Sequence, residues 1–146
     1  MQGLIQRVKS AAVDVEGQRV GEIAQGILLL LGIEQNDTQL TADKLIDKLL
    51  NYRIFADEQN KMNCSVRDIN GGILVVSQFT LVADTNKGLR PSFSKAAMPA
   101  AAQALYDYFV THIRDKHPTV AAGIFAADMQ VSLINDGPVT FLLQME

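Results

Sequence analysis

Apolar positions along this chain follow two rhythms, one of period two and one of period four, and the switches between them mark the elements. From Leu4 to Ile23 the pattern is that of a hairpin. Ala11, Val13 and Val15 alternate with polar neighbours, Glu16-Gly17-Gln18 supplies a turn, and Val20 and Ile23 follow on a returning strand. Gly26 then introduces the unbroken run Ile27 to Leu31, too short for a helix and suited to a strand buried on both faces. After the capping residues Asn36-Asp37-Thr38, Leu45/Leu49 and Ile46/Leu50 recur four apart, which predicts an amphipathic helix over Thr38 to Tyr52.

The segment Asp57 to Asn63 is polar and turn-rich. Gly71-Gly72 opens a second apolar run, Ile73 to Val76, whose β-branched content predicts a central strand continuing into Ser77-Gln78-Phe79-Thr80-Leu81. Between Ala83 and Ala97 the pattern dissolves into a loop carrying Lys87, Arg90, Pro91 and Lys95. Pro99 suits the first turn of a second helix, with Leu105, Phe109 and Ile113 as its buried stripe and an end near His117-Pro118. The tail, Met129 to Gln144, reads as two alternating strands joined by a turn at Asn135-Asp136-Gly137. No internal repeat and no linker interrupts this order. It predicts a single α+β domain over residues 1–146, a curved, mostly antiparallel or mixed sheet with two amphipathic helices packed on it.

Composition adds size and compartment. With 146 residues, 48% of them hydrophobic, the chain is long enough for one substantial core. The longest apolar run is too short to cross a bilayer, and Met1 to Arg7 lacks the features of a signal peptide. A lone cysteine, Cys64, precludes an internal disulfide. The expectation is a cytoplasmic protein with no membrane partner. The 13 basic and 16 acidic residues give a net charge of −3. That argues against a broad phosphate-binding platform and is neutral on an enzyme that meets only one end of an RNA.

Acid–base chemistry has few candidates. His112 stands one position before the buried Ile113 and His117 follows the last helical turn, so both are expected in water rather than in a catalytic role. Neither lies near a serine or cysteine nucleophile, which leaves a Ser-His-Asp reading without support. Cys64 has no basic cluster beside it to activate its thiol. No His-x-x-x-His, cysteine pair or dense carboxylate loop occurs, so neither a metal nor another cofactor is expected. Gly71-Gly72 lacks the spacing of a phosphate loop and precedes a strand rather than a helix.

Two short strings stand out instead. Ser77-Gln78-Phe79-Thr80 breaks a clean apolar strand at its C-terminal end. Either the strand surfaces there and its hydroxyls cap the exit, or backbone N–H groups and hydroxyls are presented in a crevice, where they can stabilise an oxyanion. Asn135-Asp136-Gly137-Pro138 is an ordinary hairpin turn except for the proline, whose missing N–H breaks the ladder. A Gly-Pro bond can be cis, although only about one X-Pro bond in twenty is cis in folded proteins. The residue pattern by itself names no substrate.

Both strings resemble a known family. Ser77-Gln78-Phe79-Thr80-Leu81 is similar to the Ser-Gln-Phe-Thr-Leu motif of the D-aminoacyl-tRNA deacylases, and Asn135 to Thr140 to their Gly-Pro motif. The likeness extends to Ile5-Gln6-Arg7-Val8, Tyr52-Arg53-Ile54-Phe55, Arg90-Pro91-Ser92-Phe93, Ala104 to Phe109, and Phe125 to Val131. It covers nearly the whole chain, in the expected order and with no departure at either motif.

The resemblance implies the family's barrel-like fold and hydrolysis of the ester joining a D-amino acid to the terminal adenosine of tRNA. Mischarged glycyl-tRNA(Ala) is a second implied substrate. Ser77, Gln78, Phe79 and Thr80 would surround the scissile group, with main-chain N–H groups as oxyanion donors. No base is evident to make Thr80 a nucleophile, and a water aided by the ribose hydroxyl fits better. The family is homodimeric, with a cis Gly-Pro bond inserted into the partner's site. Gly137 and Pro138 would then be a wedge that collides with an L side chain, Met129 would join them in contacting substrate, and Arg7 either holds the wedge or makes a surface salt bridge. Lys87, Arg90 and Lys95 either contact phosphates or belong to a solvated loop. A noncatalytic RNA-end binding module, a purely structural dimer and an editing enzyme for another mischarged pair are the alternatives.

Overall fold

A computed structural model describes residues 1–146. Strands β1 (Gln2–Val15) and β2 (Gln18–Ile23) form the opening hairpin, turning at Glu16 and Gly17, both at positive φ. Strand β3 (Gly26–Gly32) leads to helix α1 (Gln39–Asn51). The short pair β4 (Phe55–Ala56) and β5 (Met62–Cys64) precedes β6 (Gly72–Ser77), a 3-10 turn at Phe79–Val82 and helix α2 (Pro99–Lys116). Strands β7 (Val120–Ala122) and β8 (Gln130–Gln144) complete the chain.

The sheet is mixed. The sequential partners of β1 are antiparallel, β2 along its second half and β3 along its first, whereas β6 and β7 add parallel to β3. At the two ends of this path β2 returns to β7, so that a Cβ on Gly21 would lie 3.0 Å from the Ala122 carbonyl. The sheet is thus a nearly closed barrel. The run Ile27 to Leu31 is buried on both faces, as its continuous hydrophobicity predicts. Successive side chains of a strand point to opposite faces. Ile27, Leu29, Leu31, Ile73 and Val75 therefore pack beneath the helices, while Leu28, Leu74 and Val76 fill the barrel with Val8, Val13 and Ile23. Each such side chain contributes roughly 1.5–3 kcal/mol of burial.

The helices fall where the four-residue spacing places them. Thr38 caps α1, its side chain and that of Thr41 bonding reciprocally to the backbone. Pro99 begins α2, which runs to Lys116 and is capped by His117, before Pro118. The buried face of α2 is rotated slightly from expectation: Tyr106, Phe109, Val110 and Ile113 are buried, and Leu105 is only partly so. His117 is not solvated either. It is 4% exposed, and its Nε2 donates to the Gly71 carbonyl at 2.7 Å, closing the entrance to β6. His112 is half-buried between helices, its Nε2 3.3 Å from an Asp43 carboxylate oxygen and its ring stacked on Tyr108.

The tail differs most from expectation. It is one strand of 15 residues, paired with β1 on both sides of an insert, and Asn135-Asp136-Gly137 is no hairpin turn. Gln6 pairs with Thr140 and Val8 with Asn135, so β8 advances five residues while β1 advances two. The excess leaves the ladder as a wide bulge carrying Asp136, Gly137 and Pro138. A bulge accommodates a proline inside a strand because its residues owe the ladder no N–H. Alternation on both sides of a polar insert looks the same in sequence for a bulge and for a turn.

Candidate active site

Strand β6 delivers the first motif to the open end of the parallel strands. There a pocket of about 480 Å3 is lined by Val76, Ser77, Gln78 and Phe79, by Ala96 to Pro99 excepting Met98, by Ala102, and by Phe125 to Met129 with Val131. Its lining is mainly apolar. Asp128 is its one carboxylate, exposed to solvent, and no histidine reaches it.

The main chain at the strand exit decides which donors are free. Gln78 N–H is spent on the Leu31 carbonyl at 2.8 Å, continuing the β3 ladder, and the Gln78 carbonyl accepts from Leu81 N–H at 3.2 Å. Phe79 and Thr80 begin the 3-10 turn, where the first N–H groups have no internal acceptor. Neither forms a hydrogen bond within the chain. The Phe79 ring is 64% exposed and tilts against Phe93, with centroids 5.2 Å apart. The Thr80 hydroxyl accepts a short hydrogen bond from Gln78 Nε2, is exposed, and is outside the pocket lining. No histidine or carboxylate bonds to it.

The loop that closes another side of the pocket is tied down from behind. Ala97 N–H donates to Ile33 O at 3.1 Å, Gln35 N–H to Lys95 O at 3.0 Å, and Glu34 bridges to Ala96. Glu34 in turn accepts from the Met1 ammonium at 2.8 Å, which Asp37 also binds. Partial burial pushes the Glu34 carboxyl up. The hydrogen bond and charge of the ammonium, aided by Gln2, outweigh that and hold it below the usual range. Lys87, Arg90 and Lys95 project from the same loop into solvent.

The second motif lies elsewhere. Gly137, Pro138 and Arg7 do not line this pocket, whereas Met129 does. The Gly137-Pro138 bond is cis, and both residues are exposed. Arg7 donates through Nε to the Asp136 carbonyl at 2.9 Å and through Nη1 to the Ile54 carbonyl at 2.8 Å, while the Asp136 carboxylate stands 4.0 Å away. Asn135 accepts Val139 N–H at 2.7 Å and donates to the Thr140 hydroxyl at 2.9 Å, replacing ladder partners lost in the bulge. Gly137 has φ +138, and a Cβ there would meet Val139 Cγ2 at 2.7 Å and Arg7 Nη2 at 3.0 Å, so a side chain is excluded on both counts. Asn135 braces the bulge from inside the motif, a role its residue type does not reveal in sequence. The wall residues Ala96, Ala97 and Ala102 carried no signal, being small and apolar.

No group of three or more His, Cys, Asp or Glu side chains comes together in a way that could hold a metal ion. No helix is long and apolar enough to cross a membrane.

A family model described as D-Tyr-tRNA(Tyr) deacylase matches residues 4–144. A D-aminoacyl-tRNA deacylase of Cellvibrio japonicus is 70% identical over 146 residues, covering 100% of both chains, and one of Stutzerimonas stutzeri is 64% identical over 99% of both. Among solved structures, a c-Myc DNA unwinding element binding protein superposes with TM-score 0.94 at 39% identity, covering 99% of this chain and 98% of its own. A probable eukaryotic D-amino acid tRNA deacylase shares the fold at TM-score 0.86 and 16% identity, over 97% of each chain. The chain belongs to the D-Tyr-tRNA(Tyr) deacylase family.

Proposed function

We propose that this chain hydrolyses the ester between a D-amino acid and the 3′-terminal adenosine of tRNA, a chiral proofreading step in translation. As a member of its family it is a hydrolase of aminoacyl-tRNA esters. The observation that carries the finer reading is an apolar pocket lined by Phe79, whose main-chain N–H is unspent, with the equally unspent Thr80 N–H next to it in the chain. Water adds to the ester carbonyl carbon and the carbonyl oxygen becomes an oxyanion. Those N–H groups stabilise it, by about 3 kcal/mol for each well-aimed donor. As the carbon–oxygen bond to the ribose breaks, the ribose oxygen takes up a proton. Ser77 and Gln78 shape the floor, and Met129 contacts the aminoacyl group. The neighbouring ribose hydroxyl of the tRNA positions the water, because Thr80 has no base to make it a nucleophile.

Selectivity comes from the bulge. Gly137 and Pro138 are exposed outside their own pocket, on a strand whose outer edge has no partner and which bears the exposed Ile134, Phe141 and Leu142. In a homodimer joined on this side, each subunit places its Gly-Pro carbonyls against the α-carbon held in the other. A D side chain points away from that wedge and an L side chain collides with it. Arg7 holds the wedge through the Asp136 carbonyl. A glycyl group has no side chain to be refused, so glycyl-tRNA(Ala) is a further substrate. Lys87, Arg90 and Lys95 meet tRNA phosphates, and the cytoplasm is where this substrate is found.

The test is deacylation of D-Tyr-tRNA and L-Tyr-tRNA side by side by the purified protein without added metal. Rapid loss of the D ester alone is the expected result. Binding of both without hydrolysis would instead identify an RNA-end binding module, and no effect on either would overturn the reading.

A further inference from the structure

One wall of the pocket is not part of the sheet. After β7 the chain leaves the ladder and folds over as Gly123 to Met129, and every residue from Phe125 to Met129 faces the pocket. Little backbone bonding holds this segment. Gly123 N–H donates to Val75 O at 2.8 Å, and Ala127 N–H to Ile124 O at 3.2 Å, around a turn in which Ala126 has φ +64. One side chain from outside the segment donates to its backbone. Tyr106, 4% exposed on the buried face of α2, points its hydroxyl at the Gly123 carbonyl, 3.1 Å away, and at the Val75 carbonyl, 3.3 Å away.

That hydroxyl sits where the wall begins. Val75 is on β6, two residues before the motif serine, and Gly123 is the first residue of the wall. The Tyr106 ring also packs against Phe125, with centroids 5.7 Å apart, so one side chain holds both the backbone and an aromatic lining residue. Met129, at the far end of the segment, folds back onto Gly123, where a Cβ would stand 2.6 Å from its sulfur. Burial, with the charge of Asp107 adding to it, pushes the Tyr106 hydroxyl up to about 12. It therefore stays a proton donor across any working pH.

We infer that Tyr106 is a positioning residue for the aminoacyl pocket, setting the distance between its Gly123–Met129 wall and the Ser77–Thr80 exit through the Gly123 carbonyl. This rests on reading the pocket as the aminoacyl site. The residue touches no substrate, and its effect passes through Gly123, Phe125 and Met129.

The experiment compares Tyr106→Phe with Tyr108→Phe, which removes a hydroxyl from the same helix but from a bond to Asp43, 2.8 Å long and far from the pocket. Tyr106→Phe keeps the ring and removes one oxygen. It is expected to raise KM for D-Tyr-tRNA about fivefold, the loss of one buried hydrogen bond, with kcat within about twofold. Amides of residues 123–129 should exchange with deuterium faster than in the unaltered chain, while Tyr108→Phe leaves both KM and that exchange unchanged. Equal KM shifts in the two variants would reduce Tyr106 to a structural role, and unchanged exchange at 123–129 would overturn the inference. If the unaltered chain turns over no ester, the functional reading fails, yet the exchange comparison still decides whether Tyr106 sets the wall.

Discussion

The pocket and the Gly-Pro bulge are built by opposite means. The pocket inherits its position from the sheet: β6 ends in it, the β3 ladder continues through Gln78 N–H, and its walls are apolar residues with little individual chemistry. The bulge has left its ladder, so side chains take over the work of holding backbone. Arg7 reaches the Asp136 carbonyl and Asn135 receives Val139 N–H. A site that borrows a sheet tolerates changes in its side chains, and a site that has left the sheet depends on a few of them.

That contrast is sharpest at Gly137. Gly137→Ala forces a Cβ between Val139 and Arg7 at φ +138. On the proposed function it should cost on the order of 100-fold in D-ester turnover or in D-over-L discrimination, as ångström-scale misplacement does elsewhere. His112→Ala, distant from both sites, should leave both quantities unchanged in the same assay. Next in size is Arg7→Ala, which strips charged donors from two carbonyls, interactions of roughly 1.5–3 kcal/mol. Discrimination between D- and L-Tyr-tRNA should fall about tenfold. Loss of D turnover with discrimination intact would place Arg7 with the pocket instead.

On the pocket side the expected effects are smaller. Thr80→Ala removes a hydroxyl but not the N–H, and single-turnover rates should stay within about fivefold of the unaltered chain, the weight of one hydrogen bond. An inactive Thr80→Ala would break the comparison by making a side chain the engine of the pocket. The smallest effect concerns Glu34, whose carboxyl is held below its usual range. A depressed carboxyl stabilises the fold above its unfolded value of 4.5, and that stabilisation disappears as pH falls through the lower folded value. Melting curves should therefore drop less between pH 6 and pH 3 for Glu34→Gln than for the unaltered chain. An equal acid drop in both would remove Glu34 from the support of the pocket loop.

The two regions were also unequally legible in sequence. Period-four spacing locates both helices, capping residues and prolines set their ends within a residue, and the unbroken runs at Ile27 and Ile73 identify the strands that carry the pocket. Each of these signals comes from burial, which repeats with the backbone. The bulge reads as a turn in sequence because the alternation of β8 resumes after the insert, and only pairing with β1 distinguishes the two. His117 looks solvated in sequence because its burial depends on Gly71, 46 residues earlier in the chain. Tyr106 carried no mark either. Its ring satisfies the apolar stripe, and the use of its hydroxyl is set by where β6 and β7 end.

Unspent N–H groups at Phe79 and Thr80 have a consequence for chemical intervention. On the proposed function, any residue except proline supplies the main-chain donor the reaction needs, so mutation would rarely erode it, and reagents that inactivate hydrolases by capturing an activated nucleophile would find no target in this pocket. A molecule that offers a fixed negative oxygen to two amides, shaped like a tetrahedral adduct and flanked by a D side chain, is the inhibitor such a pocket would retain.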